Sequence, residues 1–254
     1  MKCWHPILRA LLACSLTASL AHAAEPRVRV HLAGDSTLSD KLPEKRPETG
    51  WGEPFAALFE ADAVVVVNHA RNGRSTRSFL AEGRWQALLD AADAGDHVFL
   101  QFGHNDASAH KPDRYTPLPE YRENLARFVR EARAEGLQPL LLTPVVRRRF
   151  NDSGALEPSH GAYPEAVREL AAELRVPLVD AEAISSELLS NAGPERSRQL
   201  FLHLAPGEHP NYPRGLQDDT HFSPYGAAAI AQLIALDLQR QTHPLAASLR
   251  GPRR

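Results

Sequence analysis

Short apolar runs alternate along the chain with longer stretches in which apolar residues recur at helical spacing. The short runs predict strands at 28–32, 63–67, 97–102, 138–143 and 176–180. The longer stretches predict helices at 53–60, 84–92, 119–135, 163–174 and 224–239. Because strands and helices alternate, the pattern indicates a parallel sheet with helices packed on both faces. The predicted fold class is α/β, a three-layer α/β/α sandwich around a five-stranded parallel sheet.

Two stretches depart from this pattern. In the first strand, Arg29 and His31 alternate with Val30 and Leu32, although a strand in the middle of a parallel sheet is usually apolar on both faces. We expect this strand to extend beyond the sheet at its start. Residues 201–219 contain several prolines and glycines and are predicted to form a long irregular loop. Loops of that length in a compact domain are often functional.

The N-terminal residues form a segment of a different kind. Lys2 and Arg9 precede an apolar run at 10–20, and Ala21-His22-Ala23 is a small-x-small cleavage site. These features predict a secretory signal peptide at 1–23, with export to the periplasm or the extracellular medium. The run is shorter than the roughly 20 apolar residues that a membrane span requires, so we expect no stable membrane insertion. Lipidation at Cys14 is the less favoured alternative.

Composition limits the chemistry of the exported part. The chain has 254 residues, of which 43% are hydrophobic, and this predicts a single domain at 24–254. Both cysteines, Cys3 and Cys14, lie in the predicted signal peptide, which excludes disulfides, a cysteine nucleophile and thiolate metal sites from the exported domain. Loss of Lys2 and Arg9 leaves 27 basic and 31 acidic residues, a net charge of −4. Such a charge gives no reason to expect nucleic acid as a partner.

Small and polar residues follow the predicted strands at their carboxyl ends, where the reactive groups of open parallel sheets gather. Gly34-Asp35-Ser36-Thr37 follows the first strand, and residues 68–76 follow the second. Gly103-His104-Asn105-Asp106 follows the third. A serine at such a turn can be a nucleophile, but turn chemistry favours the same residue types. Ser36 is therefore a candidate nucleophile. Whether it is one depends on the presence of a base, an orienting carboxylate and oxyanion donors elsewhere in the chain.

The missing partners occur later in the sequence. Asp218 and His221 lie just before the last predicted helix, and a turn there would let Asp218 accept from one ring nitrogen while the other takes the proton of Ser36. Donors for a carbonyl oxygen that becomes negative are also present: the N–H of Ser36, the N–H of Gly73 and the side-chain amide of Asn105. Each residue alone has a plainer explanation as a cap, a turn or a surface group. Together they predict acyl transfer.

Four sequence blocks carry a resemblance to a known family. They are GDST at 34–37, NGRST at 72–76, GHND at 103–106 and DDTH at 218–221. In this order they resemble the SGNH (GDSL-type) hydrolase superfamily, and the surrounding sequence is similar to its rhamnogalacturonan acetylesterase branch over nearly all of the exported chain. The resemblance implies a flavodoxin-like sheet, no metal or other cofactor, and deacetylation of plant cell-wall polysaccharide. It also implies the catalytic residues Ser36, Asp218 and His221 and an oxyanion hole of Ser36, Gly73 and Asn105.

The substrate is the least determined part of this hypothesis. Arg74 and Arg147 are candidates for binding galacturonate carboxylates, since a guanidinium suits that geometry; solvated arginines or arginines in salt bridges are an equal alternative. The expected partner is an acetylated polysaccharide or oligosaccharide. Open alternatives are an esterase of the same family that acts on acetylxylan, peptidoglycan O-acetyl groups or lipid, and an exported carbohydrate-binding protein without activity. A metal site of His69, His104 and Asp106 is disfavoured because no close ligand spacing is present. The sequence does not predict the oligomeric state.

Overall fold

The computed structural model describes residue 1 and residues 28–251, so the predicted signal peptide at 1–23, apart from its first residue, lies outside the described residues. The main sheet has five parallel strands in the order β2-β1-β3-β4-β5. These strands are β1 (Val28–Gly34), β2 (Val64–Asn68), β3 (His97–Gln101), β4 (Gln138–Leu142) and β5 (Leu178–Val179). The apolar runs predicted all five, and the last is shorter than predicted. The first strand lies between β2 and β3, which places the turn at Ser36 near the middle of the sheet edge.

Helices cover both faces of this sheet, as predicted. They are α1 (Gly52–Phe55), α2 (Thr76–Ala81), α3 (Arg84–Ala91), α4 (Leu118–Ala134), α5 (Tyr163–Leu174), α6 (Ala181–Arg196) and α7 (Pro224–Arg240). Val30 and Leu32 of β1 belong to a core shared with α1, α6 and α7, while Ala33 faces a second core with α2 to α5. The alternation along one strand thus serves two helical layers. In the described part of the chain, no helix combines the length and the apolar character that crossing a membrane requires.

Several element boundaries differ from the sequence prediction. The helix predicted at 53–60 is the single turn α1 followed by a 3₁₀ turn, Ala56–Leu58. The helices α2 and α6 were not predicted. The first is only six residues long, and the second is interrupted at Gly193, whose backbone is not helical, and contains Pro194. Short or interrupted helices carry too little periodicity to stand out from the loops around them.

The stretch predicted as an irregular loop at 201–219 contains an antiparallel hairpin instead. Its strands are β6 (Phe201–Leu204) and β7 (Leu216–Phe222), and they form a separate two-stranded sheet. Only the connection at 205–215 is irregular. The hairpin escaped prediction because the proline- and glycine-rich connection lies between two short strands, and β7 carries mostly polar residues.

The polar residues of the first strand have two different explanations. Arg29 lies at the sheet margin, where β1 pairs with β2 but has not yet met β3, and its guanidinium lies 2.7 Å from Asp93. The start of β1 therefore extends beyond β3, as expected, but Arg29 is still paired with β2. His31 is fully buried inside the sheet, and its two ring nitrogens contact Asp96 and His69.

Candidate active site

The turn after β1 is fixed by a buried carboxylate. Asp35 is fully buried and accepts from the Thr37 backbone N–H at 3.0 Å and from the Thr37 hydroxyl at 2.9 Å. Its second oxygen accepts from the backbone N–H of His104 at 3.3 Å. Gly34 permits this close packing, since a Cβ there would lie 2.5 Å from the Gln101 carbonyl oxygen. Asp35 thus ties the loop after β1 to the loop after β3 and holds Ser36 between them.

Ser36, His221 and Asp218 form a continuous hydrogen-bonded line. His221 Nε2 lies 2.9 Å from Ser36 Oγ, and His221 Nδ1 lies 2.7 Å from Asp218 Oδ2. Because an ionised carboxylate only accepts, Nδ1 carries the proton and Nε2 is left as the acceptor for the serine hydroxyl. The side chain of His221 is 27% exposed, so solvent can reach this hydrogen-bonded line.

A strand irregularity, rather than the predicted turn before the last helix, presents His221 to the serine. Leu202 pairs with Asp218 while the preceding Phe201 pairs with Phe222, so residues 219–221 bulge from β7. The other oxygen of Asp218 accepts from the backbone N–H groups of Thr220 and His221, at 2.7 and 2.9 Å. The carboxylate therefore shapes the bulge as well as orienting the imidazole.

The charge of Asp218 is stabilised by these contacts. Burial by itself raises the pKa of this carboxyl group, because a low-dielectric environment disfavours the ionised form. The hydrogen bonds from the His221 ring and from the two backbone N–H groups outweigh burial and bring the pKa of Asp218 to about 2. Asp218 is consequently ionised throughout the neutral range and can favour a positive charge on His221.

The predicted oxyanion donors lie at the same edge. Ser36, Gly73, Asn105 and His221 line one cavity of about 430 Å³. Gly73 has a φ of +78°, a conformation that favours glycine. The amide of Asn105 donates one proton to the carbonyl of Arg74 at 3.0 Å, and its second proton remains for another acceptor.

Asp106 connects the two loops that carry these donors. It is fully buried and accepts from the Thr76 backbone N–H at 2.9 Å and from the Thr76 hydroxyl at 2.6 Å. Burial raises the pKa of Asp106 to about 7, against the opposing hydrogen bonds from Thr76. This contact fixes the start of α2, and with it the Gly73 loop, relative to Asn105.

The two candidate substrate-binding arginines, Arg74 and Arg147, have different contacts in the structure. Arg74 lies 3.1 Å from Glu82 in an ion pair. Arg147 donates to the Thr220 hydroxyl and to the His104 carbonyl, and within residues 28–251 it has no carboxylate close enough for an ion pair. Burial lowers the pKa of Arg147, while Asp35 and Asp218 act in the opposite direction. The guanidinium of Arg147 thus remains available to an anionic ligand.

The three residues of the disfavoured metal site have other contacts. His69 Nε2 lies 2.9 Å from His31 Nδ1, and His104 packs against His160 with ring centroids 4.3 Å apart. Asp106 binds Thr76. Over the residues that the structure describes, no group of three or more His, Cys, Asp or Glu side chains is placed to hold a metal ion.

Sequence reasoning missed several charged residues of the cavity. Its lining also contains Lys45, Glu48, Lys111 and Arg114, and the buried Lys41 lies directly behind it. None of them belongs to the four sequence blocks. They come from the connections after β1 and β3, where charged residues are common, so no local signal distinguished them from solvated loop residues.

Comparison with known proteins places this chain in a family. Residues 32–229 match the model of the GDSL-like Lipase/Acylhydrolase family. The chain is 44% identical over 218 residues to the rhamnogalacturonan acetylesterase RhgT of Bacillus subtilis, covering 86% of this chain and 92% of that protein. It is 35% identical over 221 residues to YesY of the same organism, a probable rhamnogalacturonan acetylesterase, covering 87% and 96%.

Solved structures agree on the architecture. The crystal structure of YxiM from Bacillus subtilis superposes with a TM-score of 0.73 at 27% identity, covering 86% of this chain and 58% of that one. Axe2, an acetylxylan esterase from Geobacillus stearothermophilus, superposes with a TM-score of 0.61 at 22% identity, covering 83% and 94%. The second likeness concerns the fold alone. The chain belongs to the GDSL-like lipase/acylhydrolase family and is a serine-dependent carboxylic ester hydrolase.

Proposed function

We propose that this enzyme removes O-acetyl groups from cell-wall polysaccharide, with pectic rhamnogalacturonan as the substrate, through an acyl-enzyme on Ser36. The observation that carries the proposal is the line from Ser36 Oγ to His221 Nε2 at 2.9 Å and from His221 Nδ1 to Asp218 at 2.7 Å. Two relatives of high coverage are named for rhamnogalacturonan acetyl ester hydrolysis. These names support the substrate class, and the geometry supports the mechanism.

The proposed reaction has two halves. In the first, Ser36 Oγ attacks the acetyl carbonyl carbon while His221 Nε2 takes the hydroxyl proton. The N–H groups of Ser36 and Gly73 and the amide of Asn105 stabilise the negative carbonyl oxygen. The ester C–O bond then breaks, and His221 returns the proton to the departing sugar oxygen. In the second half, water attacks the acetyl-enzyme by the same route and releases acetate.

The cavity lining favours a polar substrate over a lipid. In the described part of the chain its walls are made by charged and polar residues together with Gly73, and no apolar side chain contributes. A site for long acyl chains needs an apolar surface on which the chain can be buried, because each buried methylene stabilises the complex by about 0.8 kcal/mol. The cavity provides room for an acetyl group and a sugar.

The charges around the cavity favour an acidic polymer. Its basic lining residues are Lys45, Arg74, Lys111, Arg114 and Arg147. Arg74 and Arg114 are in ion pairs with Glu82 and Asp113, whereas Lys45, Lys111 and Arg147 have no ion-pair partner among residues 28–251. Galacturonate carboxylates in the substrate would supply the missing partners.

The catalytic assignment is tested with a chromogenic acetyl ester. Ser36→Ala is expected to lower kcat by about 10⁴-fold or more while the circular dichroism spectrum stays that of the wild type. Ser190→Ala, a matched change at an exposed helical serine, is expected to retain full activity. Labelling of the wild type, but not of Ser36→Ala, by a fluorophosphonate probe separates an enzyme from a carbohydrate-binding protein without activity. Equal turnover by wild type and Ser36→Ala would refute the mechanism.

The substrate assignment is tested by acetate release from acetylated rhamnogalacturonan, acetylxylan and O-acetylated peptidoglycan. The rhamnogalacturonan is expected to give the highest kcat/KM. Arg147→Gln is expected to raise KM for this acidic polymer by about 10-fold and to leave KM for a neutral acetyl ester nearly unchanged. Arg130→Gln, at an exposed ion pair with Glu123, is the control. A preference for neutral acetylxylan would replace the proposed polymer and leave the mechanism standing.

The place of action is a separate proposal. The predicted signal peptide supports export, which would bring the enzyme to a polymeric substrate outside the cytoplasm. Fractionation of cells that produce the full chain tests it, and retention of the activity in the cytoplasmic fraction would contradict it.

A further inference from the structure

A buried ion pair of Lys41 and Glu48 lies next to the turn that carries Ser36. Lys41 Nζ lies 2.8 Å from Glu48 Oε1, with the Lys41 side chain fully buried and that of Glu48 only 7% exposed. Both residues belong to the connection between β1 and α1. Taking two charges out of water is costly, and a buried pair is often replaceable by apolar residues without loss of stability. The position of this pair beside the site therefore needs an explanation other than stability.

Lys41 contacts two loops of the site. Its ammonium donates to the carbonyl of Ser36 and, at 2.8 Å, to Asn72 Oδ1. Asn72 immediately precedes Gly73, and Ser39 also donates to its oxygen, at 2.6 Å. Lys41 thus links the backbone of the nucleophile to the loop that carries an oxyanion donor.

Glu48 faces the imidazole on the side of the nucleophile. Its Oε1 lies 3.9 Å from His221 Nε2, the nitrogen that contacts Ser36. Asp218 contacts the opposite nitrogen of the same ring. His221 therefore lies between two carboxylates, hydrogen-bonded to Asp218 at Nδ1 and 3.9 Å from Glu48 at Nε2.

The segment that carries Glu48 is fixed against the strand that carries His221. The Thr49 N–H donates to the Phe222 carbonyl at 3.1 Å, next to both residues in sequence. The connection between β6 and β7 fixes the start of the same segment, because the Asn211 side-chain amide donates to the carbonyls of Pro43 and Arg46 at 2.8 and 2.9 Å. A backbone hydrogen bond and the Asn211 side chain thus fix the segment of Glu48 relative to the strand of His221.

Other charged groups near His221 lie on other loops. Arg147 contacts Thr220 beside it, and Lys41 lies on the far side of Glu48. The nearby His104 is fully buried, and burial lowers its pKa well below the ordinary value, so this ring is neutral. Glu48 and Asp218 are the negative groups that face the ring from its two sides.

We propose that Lys41 and Glu48 are positioning residues of the acyl-transfer site, an inference that rests on the proposed function. Lys41 sets the Ser36 turn against the loop that precedes Gly73. Glu48 favours the positive charge that His221 gains when Ser36 gives up its proton, and thereby complements Asp218.

The test is Glu48→Gln, which keeps the shape of the side chain and removes its charge. Glu48 Oε1 lies 3.9 Å from the ring nitrogen that gains the serine proton, so loss of its charge removes stabilisation that is present only while His221 is positive and acts on kcat rather than on substrate binding. The unpaired Lys41 ammonium acts in the same direction. We expect kcat to fall by about 10-fold or more, with a smaller change in KM.

Two further variants keep this test decisive. The double variant Lys41→Met with Glu48→Gln removes both buried charges together, avoids an unpaired ammonium, and is expected to show the lower kcat with a smaller change in KM. Asp96→Asn is the control, because Asp96 is also a buried carboxylate beside an imidazole, 3.2 Å from His31, but at the other end of the strands. It is expected to leave kcat and KM nearly unchanged.

The outcomes separate this inference from the proposed function. If the wild type hydrolyses the acetyl ester and Ser36→Ala does not, while folded Glu48→Gln and the double variant keep the wild-type kcat, the positioning role is wrong and the proposed function stands. If the wild type hydrolyses no acetyl ester, both are wrong. A lower kcat with a smaller change in KM in both Glu48 variants, absent from Asp96→Asn, supports the inference.

Discussion

Within residues 28–251, one carboxylate–histidine line ends at a serine, and another with similar distances ends at a second histidine. At the carboxyl edge of the sheet, Asp218 contacts His221 at 2.7 Å and His221 contacts Ser36 at 2.9 Å. Along β1, Asp96 contacts His31 at 3.2 Å and His31 contacts His69 at 2.9 Å. The side chain of His221 is 27% exposed, whereas that of His31 is 1% exposed. The distances within the two lines are therefore similar, but only the line with His221 is open to solvent.

The difference shows what a carboxylate–imidazole pair needs in order to act chemically. Next to Ser36, the imidazole faces a hydroxyl whose proton it can take and a cavity in which a substrate fits. In the sheet, the third member is another imidazole, and burial together with His31 lowers the pKa of His69 to about 4. His69 is thus a neutral imidazole at neutral pH, and it offers His31 no hydroxyl nucleophile of the kind that Ser36 offers His221. The Asp96 line is therefore structural, and four predictions sharpen this distinction.

Loss of the imidazole at the sheet edge is expected to have the largest effect. His221→Ala removes the base, and kcat for an acetyl ester is expected to fall by about 10⁴-fold or more. The ring is partly exposed, so the melting temperature is expected to change little. Steady-state kinetics and thermal unfolding measure the two quantities. A variant that kept more than a tenth of the wild-type kcat would exclude His221 as the base.

The two carboxylates are expected to separate activity from stability. Asp218→Asn keeps the side-chain shape but presents an amide to Nδ1, which allows the wrong tautomer, and kcat is expected to fall by about 10²- to 10⁴-fold. Asp96→Asn changes the matching carboxylate of the sheet line and is expected to lower the melting temperature with nearly unchanged kcat. The two lines would not be distinct if Asp96→Asn reduced kcat as strongly as Asp218→Asn.

Loss of the buried imidazole is expected to affect stability alone. His31→Ala leaves a cavity in the sheet and removes hydrogen bonds to Asp96 and His69, which together are expected to cost about 2–4 kcal/mol of unfolding free energy. Below its unfolding temperature the variant is expected to keep its kcat. Urea unfolding measures the loss, and His110→Ala, at an exposed ring, is the control. A stability equal to that of wild type would show that this line does not hold the sheet together.

The sequence predicted the two lines to very different extents. Ser36, Gly73 and Asn105 follow strands that apolar runs revealed, and Asp218 and His221 are three residues apart, so each stands in a recognisable local setting. The bulge that presents His221 was not predictable, because it arises from pairing between β6 and β7.

Contacts between distant parts of the chain account for what the sequence did not reveal. Asp96 and His31 are 65 residues apart, and no local pattern indicates that they meet. The same holds for Lys41 and Glu48, whose role depends on the neighbouring Asn72 loop and on His221. The periodicity in the sequence determined the sheet and most helices, whereas buried polar contacts follow from how separate loops pack.

The smallest expected effect concerns the pH dependence of stability. The pKa of His69 is about 4 in the folded protein and about 6.5 when unfolded, so the unfolded chain binds the extra proton between these values and stability falls as the pH drops from about 6.5 to 4. His69→Gln is expected to make this fall less steep, by less than about 1 kcal/mol per pH unit because the ring is partly solvated. Asp218, with a pKa of about 2, loses its contribution only below about pH 4. Urea unfolding of wild type, His69→Gln and the control His110→Gln is measured at pH 7 and pH 5. Burial also lowers the pKa of His97 and His104, so the difference in slope between wild type and His69→Gln reports on the sheet line, and identical slopes would remove His69 from it.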